Sequence, residues 1–210
     1  MYKLQIDKKL YTKLNKNKSI AKYFYDNSIG DCMGLITEYY NSTDNFTKRG
    51  WENYYLTDQR KDRLNEIYLE LREKLQDVLG VDIVDYIFYR VVCQTYNGFV
   101  IELNILKQFQ SEFPNINFTQ ASREKDKKYF TDIEAYVGDV LLFGIQVKPK
   151  TYLLMNNPHT KNYHNELKEK YKKTFNTLHY MVYYEDDFNI YEKEKIFNEI
   201  NITLALKNNQ

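Results

Sequence analysis

At 210 residues, with 43% hydrophobic and 28% charged side chains, the chain has the length and composition to bury a core of its own. It holds no run of about 18 or more apolar residues, which excludes a membrane-spanning helix. Its two distant cysteines, Cys32 and Cys93, speak against a disulfide framework or a Cys-rich zinc site.

A net charge of +1 carries no global basic signal. Charge is local instead. Lys3, Lys8, Lys9, Lys13, Lys16, Lys18 and Lys22 stand against a single acid, Asp7, which suits a partner met on one face. The lysine-rich start lacks the apolar segment and cleavage site of a signal peptide, so a cytoplasmic location is expected. His159, His164 and His179 fall at no metal-ligand spacing. The 21 tyrosines suit half-buried positions, where the ring packs and the hydroxyl stays wet.

Residues 1–58 read as short helices and loops, broken by Gly30, Gly34, Gly50 and the polar stretch at 41–45. Trp51, Tyr54 and Tyr55 at helical spacing read as core rather than as a base-stacking platform. Thr57 or Asp58 is an expected N-cap for a long helix bearing Leu64, Ile67, Tyr68, Leu71, Leu75 and Val78 on one stripe, with Gly80 ending it. A second helix is expected over 83–96, interrupted by Asn97-Gly98. A third follows over 99–113 and is closed by Pro114. Glu102 lies in its first turns, where an acid complements the helix dipole; the strand region follows directly, so a site role stays open.

A strand is expected over 116–121. Arg123-Glu124-Lys125-Asp126-Lys127-Lys128 then reads as an exposed turn, and its position beside the strands makes phosphate contacts possible. The stretch 131–150, TDIEAYVGDVLLFGIQVKPK, reads as a hairpin turning at Gly138-Asp139. Side chains alternate across a strand. Ile133, Ala135 and Val137 therefore share one face and Asp132, Glu134 and Tyr136 the other; Ile145 and Val147 oppose Gly144, Gln146 and Lys148. Two acids, an amide and a lysine on a small sheet are the parts needed to hold a divalent metal beside a phosphodiester. A lysine-rich helix over 162–177, a strand over 180–184 and a last helix over 191–205 complete the chain.

The order of helix, three strands, helix and strand over 97–185, with an acid early in the hairpin and QVK ending it, resembles the PD-(D/E)xK nuclease superfamily. Asp132 is separated by 13 residues, and Glu134 by 11, from Gln146-x-Lys148, and either spacing fits. The N-terminal order of GLITEYY, GWENYYL, a long helix and a helix bearing Glu102 resembles type II restriction endonucleases, most nearly the MjaI branch.

This resemblance implies an α/β (α+β) restriction-endonuclease-like fold: a mixed β-sheet core flanked by helices, with a mainly helical N-terminal half. Residues 1–96 would form the helical region for DNA grip and dimer contacts, and 97–210 the catalytic core, together one compact unit. It implies Mg2+-dependent hydrolysis of double-stranded DNA at a short specific site, with Lys148, Asp132, Glu134, Gln146 and Glu102 in the catalytic set. Asp132, Glu134 and Gln146 are the expected metal ligands. Arg123, Lys125, Lys127, Lys128 and Lys150 are the expected DNA contacts. A homodimer and a cognate DNA methyltransferase follow from the same resemblance. Two positions depart from the pattern: Gln146 stands where a second carboxylate is usual, and Thr131 where proline is. Glu134 is the acid nominated to compensate, and the choice between it and Asp132 as principal ligand is left open. A repair or junction nuclease of the same fold, or a non-catalytic DNA-binding module derived from it, are the alternatives.

Overall fold

The structure, a computed structural model, describes residues 8–26, 33–75, 80–154 and 158–207. Lys3, Asp7, Gly30, Cys32 and Val78, named above, lie outside the described residues. Contacts divide the chain into two units, Met1–Phe99 and Val100–Gln210. No helix among the described residues is long and apolar enough to cross a membrane.

The first unit is helical: α1 (Lys8–Asn15), α2 (Lys18–Asp26), α3 (Met33–Ser42), α4 (Lys48–Tyr55), α5 (Asp58–Lys74) and α6 (Gly80–Phe88). One π-helical turn, Tyr89–Cys93, leads into α7 (Gln94–Glu112), within which the division between units falls. Asn17 caps α2 by accepting from the Ser19 and Ile20 amides, and Thr47 caps α4 by accepting from Gly50 N. Trp51 is wholly buried, as its helical spacing with Tyr55 led us to expect, and its indole N–H donates to the Val92 carbonyl at 3.1 Å. Within α5, Ile67 and Leu71 of the apolar stripe are buried.

Two expectations for this region are corrected. Gly80 does not end the long helix, which stops at Lys74; it opens α6 instead, glycine being permissive at either helix end. Asn97-Gly98 does not interrupt a helix, since α7 runs straight through it. Glycine there costs about 1 kcal/mol relative to alanine. The wholly buried Phe99 next to it supplies packing that offsets this. The irregularity lies one turn earlier, at the π-helical turn.

The second unit is a four-stranded sheet in the order β1 (Asn117–Gln120), β2 (Ile133–Val137), β3 (Val140–Pro149), β4 (Leu178–Tyr184). The first three strands are antiparallel neighbours, and β4 runs parallel to β3. A parallel pair needs a crossover, supplied by α9 (Pro158–Phe175), which starts four residues before the expected 162, with Pro158 at its first position. The run at 123–128 is a helix, α8 (Arg123–Tyr129), rather than an exposed turn. Ser122 caps it by accepting from Lys125 N. The last helix is α10 (Lys193–Lys207).

Ile133, Ala135, Ile145 and Val147 bury one face of the hairpin against Ile101, Ile105 and Phe109 of α7 and Phe197 and Ile200 of α10. The other face carries Glu134, Gly144, Gln146 and, on β4, His179, all buried residues or glycine. Gly144 is a point of close approach: a Cβ there would stand 2.7 Å from the ring of Tyr171 on α9, which is itself wholly buried. Overpacking of this kind costs about 1–3 kcal/mol. Gly144→Ala is therefore expected to lower the thermal midpoint by several degrees; an unchanged midpoint in a melting curve would show that Tyr171 can move aside.

Candidate active site

The β2–β3 register places Ile133 opposite Ile145, which brings Asp132 beside Gln146 at the mouth of the hairpin. The Asp132 amide donates to Ile145 O at 2.8 Å and its carbonyl accepts from Ala121 N at 2.8 Å, so its backbone is fixed on both sides. Its carboxylate is also held. Oδ2 accepts from Val147 N at 2.7 Å and from the Gln146 side-chain amide. The Gln146 Nε2 group also reaches Val147 O, which orients the amide and leaves Oε1 buried with no hydrogen-bond partner.

Around this pair lie three further charged groups. Glu102 on α7 is pushed well above the ordinary carboxylate range, by burial first and then by the charges of Asp132 and Asp126, with Lys148 opposing. Asp126 on α8 is raised to about 6 by burial and by Asp132, again against Lys148. Burial raises Asp132 too, while Lys148 and its two amide donors pull the other way. Lys148, on the same strand face as Gln146, rests its ammonium 4.6 Å from the centre of the Phe130 ring. Phe130, in the left-handed conformation at φ 57, ends α8, and its ring stacks on His164 of α9 at 3.9 Å. His179 fixes this turn from β4, its Nε2 lying 2.8 Å from Phe130 O and 3.1 Å from Thr131 Oγ1. A carbonyl only accepts, so Nε2 carries the proton. Burial lowers the His179 pKa to about 4, which keeps the ring neutral.

Glu134 has a different environment. Its two oxygens accept from the Lys125 ammonium at 2.9 and 2.8 Å, from the Tyr136 hydroxyl at 2.8 Å and from the Tyr171 hydroxyl at 3.1 Å. It is 3% exposed, and these bonds balance its charge where it sits. In sequence, Glu134 and Asp132 group together because both share a strand face. The structure separates them along that face, with Glu134 opposite Gly144 and Asp132 next to Gln146.

Of the expected DNA contacts, Lys125 faces inward to Glu134. Lys127 and Lys128 are exposed on α8, Lys128 lying 3.9 Å from Glu124. Lys150 pairs with Glu185 at 2.9 Å. The Arg123 side chain lies outside the described residues. Asp126, Phe130 and His164 were not singled out from the sequence. The signal for the first two was the Ser122 cap, which turns the charge run into a helix and sets Asp126 three and four residues before Tyr129 and Phe130.

Among the described residues, no three His, Cys, Asp or Glu side chains are grouped as a ready-made metal cage. The donor chemistry nonetheless fits a hard divalent cation of the Mg2+ kind, which uses one or two carboxylates and keeps several waters. Asp132 supplies a carboxylate, Gln146 a buried oxygen without a donor, and Glu102 and Asp126 mutual repulsion that a cation relieves.

A family model described as MjaI restriction endonuclease matches residues 12–201, most of the chain and parts of both units. The chain belongs to the MjaI restriction endonuclease family. No curated protein and no solved structure matches it. Membership in the MjaI restriction endonuclease family makes the protein a restriction-type nuclease with DNA as its substrate.

The raised Asp126 carboxyl has a stability consequence. Its folded value of about 6 lies above the ordinary aspartate range, so between pH 4 and 6 the folded protein holds more protons than the unfolded chain. Stability without metal therefore falls as pH rises through that window and stays reduced above it. Asp126→Asn is expected to stabilise the metal-free protein at pH 7.5 by on the order of 1–3 kcal/mol, the gain vanishing below about pH 4. Denaturant unfolding at the two pH values measures this, and no gain at pH 7.5 would contradict the buried-acid environment.

Proposed function

We propose that the protein is a type II restriction endonuclease that hydrolyses phosphodiester bonds of double-stranded DNA at a short specific site, using Mg2+. The observation that carries this reading is the Asp132 carboxylate, fixed by the Val147 amide and Gln146 on the strand face that ends in Lys148. Family membership supplies the substrate class, and the acids clustered about Asp132 supply the negative potential that a divalent cation needs.

Asp132 and the Gln146 Oε1 would hold the ion, with Glu102 the further carboxylate within electrostatic reach. Bound there, Mg2+ supplies a Lewis acid for the scissile phosphate. Hydrolysis forms a bond from water oxygen to phosphorus and breaks one bridging P–O bond, leaving a phosphate monoester and a hydroxyl. Lys148 answers the charge that grows on the phosphate oxygens and orients the attacking water by hydrogen bonding. Phe130 beneath its ammonium limits where that charge can go. Glu134 belongs to the scaffold in this reading, with Lys125 as its counter-ion rather than a phosphate contact. Arg123, Lys127, Lys128 and Lys150 are the candidate backbone contacts. A short palindromic site calls for a two-fold homodimer. A restriction enzyme of this kind works in the cytoplasm beside a DNA methyltransferase that protects the same site.

One feature favours a second reading, a DNA-binding module without catalysis: Gln146 brings no charge where a second carboxylate would strengthen metal binding. Cleavage separates the two. Phage DNA incubated with Mg2+ is expected to give discrete fragments, and none in EDTA. Lys148→Ala is expected to cut at least about 100-fold more slowly. Binding without fragments under any divalent ion would establish the second reading instead.

A further inference from the structure

Beside the hairpin mouth lies a cavity of about 170 Å3 whose lining includes Tyr152, Lys161, His164, Asn165, Met181 and Tyr183. Its position follows from the sheet. On β4, Met181 is the register partner of Gln146, and Tyr183 that of Lys148. Partners in adjacent strands project from the same face, so the cavity floor is one strand over from the two site residues. It is also joined to them through rings: Lys148 stands 4.6 Å from Phe130, and Phe130 stacks 3.9 Å from His164 in the cavity wall.

The lining has a consistent chemistry. Tyr152 lies nearly parallel to His164, at 5.7 Å and 23°, and to Tyr183, at 6.3 Å and 26°. Together with Phe130 on His164, at 20°, these rings form a series of similarly inclined planes. The Tyr152 hydroxyl and His164 Nδ1 bond to each other at 2.7 Å, which fixes both rings. Met181 adds a soft, polarisable floor. Asn165, exposed, and Lys161, whose ammonium donates to the Leu153 carbonyl at 3.4 Å, complete the lining. A single water needs at least about 10–15 Å3 of such space, so the cavity exceeds a one-water site by on the order of tenfold and has room for a small planar group. Planar aromatic walls with a few polar groups at the edge match a heteroaromatic base, and stacking of this kind tolerates any base.

We propose that this cavity receives an unpaired nucleobase from the DNA strand held at the Asp132–Lys148 site. The inference rests on the nuclease reading for the source of the base, while the cavity's preference for a stacked base can be measured without cleavage. The base leaves its duplex partner and lies against Tyr152 and Tyr183, and its own backbone phosphate stays within reach of Lys148.

The test is fluorescence of 2-aminopurine, placed once in a short single strand and titrated with protein in Ca2+. Saturable quenching is expected, with binding weakened about tenfold in Tyr152→Leu and in Tyr183→Leu. Asn165→Trp, at an exposed rim position, is expected to block the quenching while leaving the melting temperature intact, and so covers the case in which the tyrosine variants fail to fold. An abasic strand is expected to compete at least tenfold more weakly than the parent strand; equal competition would show that phosphate alone is held and overturn the proposal. Free 2-aminopurine deoxyribonucleotide is expected to bind at least tenfold more weakly than the strand, and equal affinity would overturn the assignment to DNA. Quenching without DNA cleavage by the wild-type protein would sink the nuclease reading and leave the base site standing. Cleavage without quenching would do the reverse.

Discussion

The pairing of Ile133 with Ile145 fixes the arrangement on which the site depends. A strand repeats every two residues, so a slip of β3 by one position would send Ile145 and Val147 to the opposite face and turn Gln146 and Lys148 into the helical core. The apolar side chains lock against α7 and α10 and hold the register. With that register set, Asp132 must lie beside Gln146, the Val147 amide must point at its carboxylate, and Lys148 must follow on the same face. The hydrophobic face thus determines the geometry of the polar one.

Two acids only two residues apart acquire different roles from their neighbours. Glu134 lies deeper in the sheet and is met by one ammonium and two hydroxyls, so its charge is settled within the fold. Asp132 lies at the strand end and meets two amide donors; its charge, after burial, raises the pKa of Asp126, and its charge and that of Asp126 raise the pKa of Glu102. Repulsion of that kind is a cost the metal-free protein carries, and functional sites are where such costs gather. The Gln146 amide reduces it, donating to Asp132 where a carboxylate would repel. The same residue keeps a buried oxygen, Oε1, without a donor and adds no charge.

Much of this was legible in the sequence. The alternation in 131–150 gave the hairpin and its two faces as far as Ala135, although Val137, expected on the apolar face, lies half exposed beyond a register shift; the helical spacing of Trp51 and Tyr55 gave a buried tryptophan, and the order of elements gave the mixed sheet. What escaped was decided by tertiary contact. Lys125 and Asp126 read as solvated because both sit in a charge run; only the Ser122-capped helix turns one toward Glu134 and the other toward Asp132. Gly98 read as a break because propensity is local, whereas Phe99 anchors the helix through it. The distinction between Asp132 and Glu134 depends on Tyr171, 37 residues from Glu134 in sequence, and no spacing rule carries that.

We propose Asp132, and not Glu134, as the carboxylate that binds the divalent ion. Calorimetric titration of Mn2+ into the folded wild-type protein, Asp132→Asn and Glu134→Gln, each below its melting temperature, tests it most directly. The expected result is an affinity at least tenfold weaker in Asp132→Asn and within about twofold of wild type in Glu134→Gln. Loss of binding in Glu134→Gln with retention in Asp132→Asn would contradict it.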